Sequence, residues 1–234
     1  MHHFRAPDAR RFISASLMIG IAFVIFGASF GVLSVSAGAS VAQSCAMSLL
    51  VFTGASQMSA VSVLASGGTV ASAFGGAVLL SGRNAVYGLA MSPVLKQGSL
   101  ASRLLGAQWV IDETTAMVSA ETDPATRRTA FWISGAILYA SWNIGTLLGA
   151  LVGSSINPSD FGLDAAFPVM FTAMIAPHLR TSAGRKAALF GAVVAVALAP
   201  FMPIGLPILV SALGMLFGIS PNSDESSAMT DGAP

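Results

Sequence analysis

The chain has 234 residues, of which 54% are hydrophobic and 9% charged, with a formal net charge of +1 and a mean hydropathy of +0.77. A soluble domain carries about 25% charge to wet its surface, so that class is excluded, and with no basic patch nucleic acid is not an expected partner. Apolar runs close to the ~20 residues that span a bilayer follow one another, while the ~10-residue alternating segments of a membrane β-barrel are absent.

The expectation is an all-α, polytopic transmembrane helical bundle of seven or eight membrane segments. The start "MHHFRAPDARR" resembles the charged end of a signal peptide, but the apolar run over 12–37 exceeds a signal core of about 7–15 residues. It reads as a retained first membrane helix. Further segments follow at 40–66, 69–95, 104–120, 129–153, 164–179, 187–200 and 203–219. Their joints carry turn chemistry, as in "SAGAS", "SGGT", "KQGS" and "ETDPATRR". Pro200, Pro203 and Pro207 break the last two segments, which a non-crossing hairpin would also explain. Residues 1–219 form a single transmembrane domain, and 220–234 are a polar, disordered cytoplasmic tail.

Orientation follows from Lys and Arg in short loops. Eight crossings with a cytoplasmic N-terminus put Arg5, Arg10, Arg11, Arg127, Arg128, Arg180, Arg185 and Lys186 inside and only Lys96 and Arg103 outside. An echo links Phe30–Ser40 to Ile144–Ser155 and "FTGAS" at Phe52 to "FTAMI" at Phe171, the kind of internal repeat many transporters carry. The lone Cys45 has no intrachain disulfide partner.

Polar groups inside apolar segments mark the candidate site, because a charge at mid-membrane costs on the order of 3 kcal/mol and turns toward protein or water. In segment 40–66, Gly54, Ala55, Ser56 and Ser59 permit close helix packing, whereas Gln57 needs polar partners. Gly beside Ser and Gln also suits a locally unwound helix that offers backbone dipoles to a ligand. Segment 69–95 carries Arg83 and Asn84 at mid-depth, with Ser81, Asn84, Gly88 and Ser92 on one face and Tyr87 adjacent. In segment 104–120, read as one helix, Gln108, Asp112, Thr115 and Ser119 form one stripe, with Glu113 about 100° away. Arg83 is expected to pair with Asp112 or Glu113; the pair either fixes helix register or is opened by a substrate or proton.

Segment 129–153 adds Tyr139, Asn143 and Thr146. Asp164 stands at the outer mouth, where it would also serve as a helix cap. His178, after Pro177, reads as interfacial. Metal-ligand spacing, a phosphate loop and a Ser/His pair at matching depth are absent, so an enzyme, a metal site and a cofactor are not expected.

In order along about 26–179, "FGASFGVLSVSAG", "LLVFTGASQMSAV", "RNAVYGLAMSP", "IDETTA", "WNIGTLLGALVG" and "LDAAFPVMF" resemble the AzlC/YgaZ-type large subunit of bacterial branched-chain amino acid exporters. The resemblance implies export of leucine, isoleucine, valine or a close analogue across the bacterial inner membrane. It also implies a small AzlD/YgaH-type membrane subunit as partner, for which the Gly145, Gly149 and Gly153 face would suit close packing. A zwitterion needs a cationic or dipolar group, an acid or carbonyls, and an apolar wall. The expected substrate-binding residues are therefore Gln57, Arg83, Asn84, Asn143, Gly54 and Ser56; amid membrane lipids, Gln57, Arg83, Asn84, Asp112 and Asn143 are expected to line one cavity, with Asp112 or Glu113 coupling transport to protons. An uptake carrier or a channel for another small solute is the alternative reading.

Overall fold

The structure is a computed structural model that describes residues 6–96, 98–155, 172, 175, 176, 178–202 and 206–213. Among these residues it is helical with no strand. The chain divides into two units, Met1–Val169 and Met170–Pro234.

The first unit holds α1 (Ala6–Ser36), α2 (Val41–Leu50), α3 (Gly54–Ala65), α4 (Val70–Leu95), α5 (Leu100–Gln108), α6 (Asp112–Ser119) and α7 (Pro124–Gly153). By length and composition, Ala9–Ser36 and Pro124–Gly153 can each cross a membrane. The helix starts follow side-chain chemistry. Ser40 and Gln43 close a capping box at α2, Thr69 accepts from the Ser72 N–H at α4, Ser99 from the Ser102 N–H at α5, and Asp123 precedes Pro124 at α7. Gly38 and Gly67 turn the chain at positive φ, where a Cβ would be strained.

α1 and α7 pack side by side and parallel. Gly20 faces Ser141, Gly27 faces Trp142 and Thr146, and Gly31 faces Ala150. From the other side, Gly145 lies on Val24, Gly149 on Ala28 and Gly153 on Val32, so that a side chain at any of these three would strike the α1 backbone. This corrects the expectation that the Gly145–Gly153 face awaits a partner subunit: the first helix already covers it. Small residues did signal close approach, but composition does not say to what.

Segments 40–66 and 104–120 are each broken rather than continuous, at Val51–Thr53 and Trp109–Ile111. Both then turn back. α2 starts beside the end of α1, where Ser44 donates to Ser34 (2.8 Å), and descends along α7 to a Ser48–Thr146 bond (3.0 Å). α3 returns antiparallel to α4: Ser56 meets Ser81 (2.8 Å), Gly76 lies on Ser59, and Ala60 and Val63 cluster with Ala73. At the opposite end, α5 starts just after α4 ends, and Gly106 packs on Leu95. α6 returns Val118 to a core with Phe12, Met91, Val94 and Phe131, and Arg11 clasps Glu121 at 2.6 Å just beyond it. α2 has 10 residues and α5 has 9, lengths of about 15 and 14 Å at 1.5 Å per residue, half a ~30 Å hydrocarbon core.

The first six helices are thus one pattern repeated with inverted direction: long helix, half-helix, half-helix. The echo between the ends of α1 and α7 is a different pairing, and its Phe171 part lies outside the described residues. Because each hairpin brings the chain back to the end where it began, Lys96 and Arg103 sit at the same end of this unit as Arg10, Arg11, Arg127 and Arg128, whereas the sequence reading put them at the opposite end. The turns at the opposite end, 37–40, 66–69 and 154–155, carry no charge. Among the described residues, α1, α4 and α7 run from end to end of this unit, and the two hairpins account for segments that were expected to cross.

In the second unit, a 3-10 turn (His178–Arg180) leads into α8 (Ser182–Leu198), capped by Thr181, and α9 (Leu206–Ser211) returns so that Gly191 faces the Ser211 carbonyl. Asp164, most of segment 164–179 and the 220–234 tail lie outside the described residues.

Candidate functional site

The two hairpin tips meet at mid-length of α7. A helix end leaves its last carbonyls short of donors, and three other helices donate to the last turn of α2, where the Met47 carbonyl also accepts from the Val51 N–H. Gln57 Nε2 of α3 donates to the Met47 carbonyl (3.0 Å), while Gln108 Nε2 of α5 (3.1 Å) and the Tyr139 hydroxyl of α7 (2.8 Å) both donate to the Leu49 carbonyl. The second tip is stapled from within. Fully buried Thr114 accepts from the Ile111 N–H (3.1 Å) and donates to the Trp109 carbonyl (2.7 Å). Bulky or β-branched residues occupy both breaks, and these restrict helical rotamers.

Aromatic rings wall the tips. Phe52 stands edge-on to Tyr139 (5.1 Å between centroids), Tyr139 contacts Trp109 (5.8 Å), and Phe23 contacts Trp142 (5.9 Å). The Trp142 ring lies against Gly54, where any side chain would collide with it. Gly54 is thus required by Trp142.

Beside the tips, Arg83 of α4 makes an ion pair with Asp112, the first residue of α6: Nη1 to Oδ2 is 2.7 Å. Of the two acids expected as partner, geometry selects Asp112. Glu113 follows in the same turn without an ion-pair partner among the described residues, and Tyr87 lies beside Asp112 one turn on from Arg83. The stripe predicted from Gln108 to Ser119 does not exist as a single face, because the break at Trp109–Ile111 puts Gln108 on α5 and Asp112 on α6.

The five polar residues expected to share a cavity are distributed around the tips. Gln57 is fully buried beside Ser56, whose hydroxyl joins Ser81 two residues before Arg83. Asn143 donates to the Tyr139 carbonyl (2.8 Å) on the α7 side, and Asn84 is half-buried on α4 next to Arg83. No hydrogen bond among the described residues links Asn84 or Asn143 to the Arg83–Asp112 pair.

Four of these residues hold a buried polar atom with no hydrogen-bond partner: Gln57 Oε1, Arg83 Nε, Asp112 Oδ1 and Asn143 Oδ1; Thr115 Oγ1 is a fifth such atom. Buried polar groups are normally paired, and these five lie on the helices that meet around the tips. Sequence reading missed Thr114 and the Leu49 carbonyl. A threonine two residues past an acid is a weak signal, and a backbone acceptor carries none. Among the described residues no group of His, Cys, Asp and Glu is arranged to hold a metal ion.

A family model described as "AzlC protein" matches residues 18–156, more than half the chain. The chain is 28% identical over 206 residues to "Inner membrane protein YgaZ" of Escherichia coli (strain K12), covering 82% of this chain and 84% of that one. It is 26% identical over 210 residues to an "Uncharacterized membrane protein" of Helicobacter pylori (strain ATCC 700392 / 26695), covering 86% and 90%. No solved structure matches.

Proposed function

Because this chain belongs to the AzlC family, we propose that it is the large subunit of a secondary transporter that exports branched-chain or similar small apolar amino acids across the bacterial inner membrane. The observation that carries this reading is the half-open ion pair. Arg83 and Asp112 share one bond, and each retains a buried atom without a partner. A zwitterion supplies what both lack, a carboxylate for the guanidinium and an ammonium for the carboxylate. The acceptors Gln57 Oε1 and Thr115 Oγ1 offer the ammonium further bonds. The N-terminus of α3, at Gly54 and Ser56, favours negative charge as broken transporter helices do. An aliphatic side chain fits the wall of Phe52, Val110 and the tip aromatics.

Coupling follows from charge balance. Arg83 faces two acids, Asp112 and Glu113, so the site carries one surplus negative charge when all three ionise. At this depth that surplus needs a proton or a bound cation. Asp112 holds the arginine, which makes Glu113 the proton carrier. With no phosphate loop in the sequence, an ion gradient drives the export. The positive-inside rule supports a cytoplasmic location for the charged end of the first unit, and with it for the N-terminus.

The role is transport rather than enzymatic catalysis, and the unit works with a small AzlD/YgaH-type subunit, whose docking face is not the α1–α7 seam. Calorimetric titration of leucine, isoleucine and valine into purified protein tests the binding half. Wild type binds, Arg83→Gln abolishes binding, and a non-zwitterionic analogue such as isopentylamine is rejected. Equal binding by Arg83→Gln removes the arginine from the site.

A further inference from the structure

At the charged end of the first unit, a cleft of ≈ 80 Å³ opens between the end of α4 and the start of α7, lined by Pro93, Val94, Pro124, Arg127 and Arg128. Nothing in the transport reading uses it. Among the described residues neither arginine pairs with a carboxylate, because the two ion pairs present are Arg11–Glu121 and Arg83–Asp112. Arg127 Nε is buried and has no acceptor. Arg128 spends one donor on a long bond to the Val94 carbonyl (3.5 Å), and a guanidinium has five. Two adjacent guanidinium forks with unused donors suit an anion with several oxygens, and phosphate is the oxyanion such forks grip bidentately.

A second observation says where the anion comes from. Pro93, Leu89 and Val86 lie at spacings of four and three on α4 and so share one face. Leu89 is 78% and Val86 65% exposed. An apolar strip therefore runs from the cleft toward mid-length of α4, along the line an acyl chain takes below its headgroup. Basic pockets between membrane helices at the cytoplasmic surface hold lipid headgroups on the same physical terms.

We propose that the Pro93–Pro124–Arg127–Arg128 cleft binds the anionic phosphate headgroup of a membrane phospholipid, with an acyl chain along Leu89 and Val86. This site is separate from the hairpin tips. It depends on the chain being membrane-embedded but not on what the chain transports.

Native mass spectrometry of the full-length protein in detergent tests it, with phosphatidylglycerol, phosphatidylcholine and inorganic phosphate titrated separately. Wild type retains phosphatidylglycerol in preference to phosphatidylcholine. Arg127→Gln weakens that binding about five-fold and the Arg127→Gln/Arg128→Gln pair roughly 25-fold, from the contribution of a basic residue near an anionic lipid surface. Arg103→Gln, at the same end but outside the cleft, leaves binding unchanged, and Leu89→Asn weakens it. Should the double variant fail to fold, Arg127→Gln alone carries the comparison. Unchanged binding in Arg127→Gln overturns the proposal, as does an equal loss in Arg103→Gln, which would mean diffuse charge attraction. Inorganic phosphate bound as tightly as phosphatidylglycerol, with no effect of Leu89→Asn, also overturns it in favour of a free-anion site.

Discussion

The Tyr139 hydroxyl donates to the Leu49 carbonyl at 2.8 Å, fastening the middle of α7 to the last turn of α2 where that half-helix stops. Gln108 reaches the same oxygen from the other hairpin at 3.1 Å. One backbone acceptor thus ties together both tips and a long helix.

Tyr139→Phe removes one donor and leaves Gln108 in place, so it is expected to destabilise the protein by about 1 kcal/mol. Gln108→Leu should cost a similar amount, and the double variant more than the sum, because the Leu49 carbonyl then has no side-chain donor. Thermal unfolding in detergent of the four proteins checks this. Strict additivity would mean that the two bonds do not share the acceptor.

Thr114→Val deletes the hydroxyl that holds both the Ile111 N–H and the Trp109 carbonyl while nearly preserving volume. The expected loss is about 1–3 kcal/mol, from leaving buried backbone groups unpaired. Thr114→Ser should recover most of it, and thermal unfolding of both variants reads the difference.

Gly149→Leu forces a side chain into the Ala28 backbone, and Gly145→Leu does the same at Val24. Overpacking of this kind costs about 1–3 kcal/mol where neighbours can shift, and here the obstacle is main chain. Monodisperse yield on size-exclusion chromatography should collapse for both, while Gly82→Leu, whose added Cβ meets nothing within 4 Å, stays near wild type. Normal yield for Gly149→Leu would mean that α1 does not cover this face.

How much of this was legible in the sequence depends on what leaves a mark in residue type. A charge in an apolar run must be answered, so Arg83 and its acid were legible together, whereas Gly54, Ser56 and Gln57, the expected unwound stretch, are helical and the break falls just before them at Val51–Thr53. Direction was not legible. Val51 and Phe52 are as apolar as their neighbours, so hydropathy runs unbroken through 40–66 although the chain reverses there. The same holds at Trp109–Ile111. For that reason Lys96 and Arg103 were expected at the end opposite Arg127 and Arg128, since one unrecognised reversal swaps the end reached by the next helix and a second restores it.

The hairpins make a sidedness prediction. In a Cys45→Ser background, cysteines at Lys96 and Thr122 should react with a membrane-impermeant maleimide from one side of the membrane, and cysteines at Gly38 and Gly67 from the other. Spheroplasts and inverted vesicles distinguish the two. Labelling of Gly38 and Lys96 from the same side would require the chain to cross differently and would undo the inverted arrangement of α1–α3 and α4–α6.

In the proposed cycle the Arg83–Asp112 pair opens for an amino acid while Glu113 carries a proton. Its most direct measurement is leucine flux in proteoliposomes, with the small AzlD/YgaH-type subunit co-reconstituted, comparing wild type, Asp112→Asn and Glu113→Gln with and without a pH gradient. Wild type should accumulate leucine against its concentration when a pH gradient is imposed. Glu113→Gln should still exchange leucine for leucine but ignore the gradient, and Asp112→Asn should lose both activities. Glu113→Gln that responds to the gradient as wild type does, or Asp112→Asn that transports normally, would contradict it.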